Sequence, residues 1–245
     1  MTTTPELTDT LAELEATGPT FSVDALMTVR DRTRWAVHAI ASQVEVGMSE
    51  EEAKALARAT LSSLGMRRGW HHIIVRLGSN TTKDFMERSE PGVVLGPDDL
   101  FFVDIGPIYE GCEGDAGDTF VVGGDPDHHR AKRDVRTIWD TVRAHWLDAG
   151  VTGTELYAFA DRTAADLGWK LNFDLSGHRL SDYPHSSHYD GSIADVPFEL
   201  HADRWVLEIA IAHPERPFGA FYEDLLLGDQ SFPEWVFDPT VPPAA

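Results

Sequence analysis

Cysteine is almost missing from this chain: among 245 residues only Cys112 is present. One thiol cannot form an internal disulfide or a cysteine-based zinc site, and its scarcity suits a reducing compartment. Positive charge is scarce too. Twenty lysines and arginines face 41 aspartates and glutamates, giving a formal charge of −21 at pH 7. Nucleic acid and anionic lipid both reward clustered Lys and Arg, so neither is expected as a partner. The start, MTTTPELTDT, lacks the basic-then-apolar order of a secretory leader, and no apolar run reaches the roughly 18 residues that span a bilayer. The expected location is therefore the cytoplasm. What is present is a globular mix, 42% hydrophobic and 25% charged, which excludes a disordered or fibrous chain.

Ser22 opens a segment in which Leu26, Val29, Trp35, Ala36, Ile40 and Val44 recur near helical spacing, ending by Gly47. Ser49-Glu50-Glu51-Glu52 has the form of a capped, acid-rich first turn and leads a second helix to Gly65. A short helix is expected before the breaker run at Gly18-Pro19. Strand texture follows at His72 to Leu77, Leu100 to Ile105 and Thr119 to Val122. Asp125-Pro126-Asp127 opens a long helix closed by Gly150, and Thr152 or Thr154 caps another, stopped by Gly168. Further strands are predicted at Trp169 to Phe173, Trp205 to Ala212 and Phe218 to Leu227. The halves repeat one order: two helices, β structure, then a hairpin. No linker rich in Gly or Ser divides them. The expected organisation is an N-terminal extension (1–21), a single domain (22–228) and a C-terminal tail (229–245).

The acids in the strands are the informative feature. Asp104 lies in the apolar run Leu100 to Ile105, and Asp115 follows across a hairpin. A turn at Tyr109-Glu110 would oppose the two directly, whereas a turn at Glu110-Gly111 would make them diagonal neighbours. Either puts them on one face, about 4.5–8 Å apart at Cβ. In the second hairpin, a loop centred on Glu215-Arg216 opposes Glu208 to Glu223. Like charges facing each other in buried strands destabilise a sheet unless something neutralises them. One pair could be an accident of a sheet edge; two, in corresponding halves, point to divalent metal. Four carboxylates with an imidazole suit two ions about 3.5–4 Å apart. The best imidazole candidate is His178, preceded by a glycine that brings backbone close.

These residues resemble the pita-bread metallohydrolases: methionine aminopeptidases, Xaa-Pro aminopeptidases, prolidases and creatinases. Val103-Asp104-Ile105-Gly106 is similar to the first aspartate motif, and Asp115-Ala116-Gly117-Asp118-Thr119-Phe120 to the second, at the family's spacing. Gly177-His178 resembles the Gly-His motif, and Tyr222-Glu223-Asp224 the closing glutamate motif. The resemblance runs from about Ser22 to Gly228. It implies an α+β, pita-bread fold: a curved antiparallel sheet with helices on its outer face, in two pseudo-symmetric halves. It also implies metal ligands at Asp104, Asp115, His178, Glu208 and Glu223, two divalent ions (Mn, Co, Fe or Zn), and a homodimer as a common assembly. His185 falls at the distance of the family's substrate-facing histidine. The chain departs from the pattern in three places. Ile209-Ala210 follows Glu208 in place of Pro-Gly, and Arg179-Leu180-Ser181-Asp182 replaces a small, glycine-rich stretch. Thr81 to Asp84 stand where many members carry a catalytic histidine, so His71 or His72 is the candidate for that imidazole.

The activity implied is metal-assisted hydrolysis of a short peptide, by an aminopeptidase or Xaa-Pro-type dipeptidase, with a metal-bridging hydroxide as nucleophile. Glu208 is the expected proton shuttle as well as a ligand, and His185 with His71 or His72 the expected donors to the oxyanion. The departures around Glu208 and His178 keep open a creatinase-like C–N cleavage of a small, amide-like, non-peptide substrate. A non-catalytic binding protein on this fold is the third reading, opposed by the complete set of five ligands.

Overall fold

Ser22 starts the first helix: its hydroxyl accepts the Ala25 N–H and caps α1 (Val23–Ala41). Ser49 caps α2 (Glu50–Ser63) in a reciprocal pair with Glu52. Asp125 accepts from the N–H groups of Asp127 and His128 at the head of α3 (Pro126–Ala149), and Gly150, at φ 57°, ends that helix in the left-handed conformation. Of the two threonines offered for α4 (Gly153–Asp166), Thr152 is the cap. The Thr154 hydroxyl donates instead to the Val196 carbonyl. The computed structural model describes residues 11, 13–228 and 237–240. The helix expected within the first twenty residues lies partly outside the described residues, as does most of the tail.

The strands are, in chain order, β1 (Arg68–Gly69), β2 (Ile74–Leu77), β3 (Asp99–Ile105), β4 (Pro107–Tyr109), β5 (Cys112–Glu113), β6 (Ala116–Val122), β7 (Lys170–Leu171), β8 (His178–Arg179), β9 (Trp205–Ala212) and β10 (Gly219–Leu225). The main sheet is antiparallel in the order β2-β3-β6-β10-β9-β7, with β8 also paired to β9. That order is itself a pseudo-two-fold: β6 and β10 meet at the centre, β3 and β9 flank them, and β2 and β7 close the edges. β1, β4 and β5 form a separate small sheet.

Alternation along the strands sorts the side chains. Phe101, Val103 and Ile105 pack under α1 and α2 with Val37, Ile40 and Ala57. Leu207, Ile209, Ile211, Ala220 and Tyr222 pack under α3 and α4 with Ile138, Trp139 and Leu156. The intervening residues face the opposite side, where Phe102, Ala210 and Phe221 form a smaller apolar cluster. Asp104, Glu208 and Glu223 share that face by their place in the alternation. Each is buried among apolar neighbours.

The second hairpin has the register its loop predicts, Glu208 against Glu223. The first turns at Glu110-Gly111, both at positive φ (50° and 80°), the two-residue turn whose twist matches its strands. Asp104 therefore pairs with Gly117, and Asp115 is its diagonal neighbour. Among the described residues, no helix is long and apolar enough to cross a membrane.

Candidate metal centre

The four acids converge at the centre of the sheet. Asp104 and Glu208 come from the flanking strands, Glu223 from the central pair, and Asp115 from the turn entering β6. All four are at least nine-tenths buried. Gly117 keeps their floor open, since a Cβ there would collide with the Phe221 ring and touch Glu223 Oε1. His178 arrives on β8, opposite Val206. Gly177 before it has φ 73°, and a Cβ there would overlap the Val206 carbonyl, so only glycine fits. His178 Nε2 lies 2.8 Å from Asp115 Oδ2 and 3.4 Å from Glu208 Oε1.

Of the two upstream histidines, the structure brings His71 to the acids and leaves His72 outside. His71 Nε2 is 3.2 Å from Asp115 Oδ1 and 3.6 Å from Asp104 Oδ1. One donor atom from each of His71, Asp104 and Asp115 lies within 4.8 Å of the others. His72 is exposed and packs on Phe85, with ring centroids 4.7 Å apart. His185 lies beside the cluster. Its Nδ1 donates to buried Glu113 Oε2 at 2.9 Å, its Nε2 faces the Ser187 hydroxyl at 2.7 Å, and its ring stacks on Trp70 at 5.4 Å.

Two contributors escaped the sequence reading. Trp70 touches all three imidazoles, edge-on to His71 and His178 and stacked on His185. Its indole N–H is anchored on the Gly114 carbonyl at 2.9 Å. The signal available was its position next to His71. Glu113 was hidden by its place two residues before Asp115. The altered stretch after His178 also has a structural role. Arg179 donates to Glu15 Oε2 and to the Glu15 and Ala16 carbonyls, and Asp182 accepts from the Thr20 N–H and hydroxyl. These side chains strap the N-terminal segment to the strand carrying His178.

The electrostatics are those of acids crowded together. Burial pushes the Asp104 and Glu208 carboxyls up to about 7, aided by the neighbouring carboxylates and opposed by the histidines. Glu223 is raised further, by burial and then by Asp115, Asp104 and Glu208. Burial also opposes charge on His71 and His178, but the acids outweigh it and hold both at about 9. Asp115 alone is held below its usual range, because hydrogen bonds from His178 and His71 overcome burial. Among the described residues, the ion-pair contacts of this group are to imidazoles, not to Lys or Arg. Buried Glu223 Oε1 has no hydrogen-bond partner at all. An orphaned carboxylate oxygen among four acids and oriented imidazoles is a donor set that fits divalent cations. Asp104, Asp115, His178, Glu208 and Glu223 are the residues that could hold them.

A cavity of about 990 Å³ opens over this group, walled by Trp70, Phe85, Tyr157, Phe173 and Tyr189. Comparison with known proteins agrees with the geometry. The profile of metallopeptidase family M24 matches residues 25–227, and the chain belongs to that family. No curated protein sequence matches it. Among solved structures it is similar to the prolidase from Pyrococcus horikoshii OT3 (TM-score 0.66, 19% identity, 91% of this chain and 64% of that one). It is also similar to the X-Pro aminopeptidase from Thermotoga maritima MSB8 (0.67, 19%, 94% and 66%). The methionine aminopeptidase from Thermotoga maritima matches over 86% of this chain and 95% of its own length, at 14% identity and TM-score 0.65. The chain thus spans about 64% of the prolidases' length, and at these identities the likeness is one of pita-bread fold.

Proposed function

We propose that this chain is a metal-dependent hydrolase that cleaves short peptides at the N-terminus, as an aminopeptidase or Xaa-Pro-type dipeptidase using two divalent ions. The observation that carries the reading is the meeting of four buried carboxylates, two of them directly opposed, with imidazoles as their ion-pair partners. Bound in that set, Mn, Co, Fe or Zn would supply Lewis acidity and lower the pKa of water toward neutrality. The rest falls to the protein. Glu208 borders both the cluster and the cavity, so its carboxylate can take a proton at the reacting centre and return it to the leaving amine.

His185 lines the cavity, with its Nδ1 proton given to Glu113 and its Nε2 facing the Ser187 hydroxyl. In its charged form it would donate to the developing oxyanion. The lining carries Asp161, Asp174, Asp190 and Asp195 against Arg162 and Arg179, the second of these already paired with Glu15. That balance favours a substrate with a protonated amine. The aromatic walls exclude water from the apolar side chains of a bound peptide.

The test is release of N-terminal residues from a peptide library, beside a panel of small amides, by protein reconstituted with each metal. Glu208→Gln should cut kcat by at least about 100-fold. Wild-type rates in that variant would overturn the hydrolytic role. Turnover of small amides with none of any peptide would move the assignment to creatinase-like C–N cleavage.

A further inference from the structure

Each half of the sheet contributes two carboxylates, Asp104 and Asp115 from the first, Glu208 and Glu223 from the second. The five-ligand set gives an imidazole only to the second. In this chain the first half has one as well. Donor atoms bound to one ion at about 2.1 Å stand roughly 3–3.4 Å apart. His71 Nε2 lies 3.2 Å from Asp115 Oδ1, and His178 Nε2 lies 2.8 Å from Asp115 Oδ2. The two imidazoles thus stand on opposite oxygens of one carboxylate.

Their anchoring is the same. Each Nδ1 is bonded at 2.8 Å to the carbonyl of the following residue, His72 for His71 and Arg179 for His178. A carbonyl only accepts, so Nδ1 keeps its proton, and a cation that displaces the proton on Nε2 would meet that nitrogen's lone pair, directed toward the acids. The backbone has also made room. The Trp70 backbone N–H donates to the Gly106 carbonyl at 3.0 Å, laying His71 across Gly106, where a Cβ would collide with the imidazole edge and with the Trp70 indole nitrogen. Phe85 packs at 5.8 Å on its other side.

We propose that His71 is a sixth protein ligand of the metal centre, so that each ion is bound by one imidazole together with carboxylates. The proposal rests on the dinuclear reading above. Its consequence is chemical: a position lined only by oxygen in the five-ligand set gains nitrogen, which moves preference from Mn toward Zn, Fe and Co.

The experiment is 15N NMR of the full chain, labelled at histidine and loaded with Zn2+, beside calorimetric titration with the same ion. Two imidazoles with Nε2 shifted by metal are expected in the wild type. His71→Gln should remove one and His178→Gln the other, while His72→Gln removes neither. In His71→Gln one of two zinc affinities should fall at least tenfold. A single metal-shifted imidazole in the wild type would overturn the sixth ligand and leave the dinuclear hydrolase standing, and this count holds even if a variant fails to fold. Failure of the wild type to take up zinc would overturn both.

Discussion

At the scale of single residues, the site depends on side chains that are absent. Gly106 is the sharpest case, because a methyl there would collide with the His71 ring and the Trp70 indole. Gly106→Ala should therefore displace His71, and we expect its zinc titration to resemble that of His71→Gln while the circular dichroism spectrum stays native. A variant with wild-type affinity for both ions would mean that the backbone had shifted to make room. Glu113 gives a second prediction. It accepts from His185 Nδ1 and from the Ser181 N–H, so Glu113→Gln substitutes a neutral amide for the carboxylate that orients the imidazole. The expected result is a fall in kcat of about 10-fold with metal content unchanged, since among the described residues the Glu113 side chain bonds to His185 and Ser181 and not to the four clustered acids. Loss of metal in this variant would show instead that Glu113 supports the cluster as a whole. His71 itself could be only half read in advance. The missing histidine near Thr81 to Asp84 pointed upstream, but choosing between His71 and His72 required the path of the backbone past Gly106.

At the scale of elements, α1 and β10 are pinned together by charge. Arg30 of α1 makes two bonds of 2.6 Å to Asp224, and Arg34 adds a third contact at 3.4 Å. Asp224 is fully buried, yet these arginines outweigh burial and hold its carboxyl below the usual range. It is also the residue after Glu223, so the pair fixes the strand that carries that acid. Asp224→Asn leaves two buried guanidiniums under-compensated and should cost about 3–5 kcal/mol in urea unfolding. A loss under 1 kcal/mol would mean that water replaces the carboxylate. The elements were the most legible part of the chain. Ser22, Ser49, Asp125 and Thr152 cap helices because their spacing to the following apolar residues is local information. The second hairpin was legible to the residue, since its strands continue unbroken into a short loop. The first admits two registers from its sequence. Its strands are separated by the β4–β5 ribbon, which joins another sheet, and only the left-handed pair Glu110-Gly111 fixes where the chain reverses. The strap from Glu15 to Arg179 spans most of the sequence, and no local pattern announces a contact of that separation.

At the scale of the whole molecule, the question is how a chain of net charge −21 tolerates four of its 41 acids buried together at its centre. Among the described residues most acidic groups are not buried, so water screens them, but the central four must be protonated, paired with imidazolium, or metal-bound. In the metal-free chain, Asp104 and Glu208 rise to about 7 from ordinary values of 3.8 and 4.5. Their ionisation is disfavoured by folding, so they withdraw stability as pH climbs from about 4 to 7. His71 and His178 rise to about 9 from 6.5. Their contribution is complete below about pH 6.5 and is lost as pH passes 9. Both effects have the same sign, so the metal-free protein should unfold at progressively lower urea as pH rises from 5 to 9. Divalent ions displace those same protons, and their affinity grows over the same interval as the ligands are freed. The loaded protein should therefore keep its urea midpoint across that range, and the gap between loaded and EDTA-treated samples should widen toward pH 9. Parallel profiles with and without metal would mean that the acids are neutralised by some other means, and that the central charge is not organised around cations.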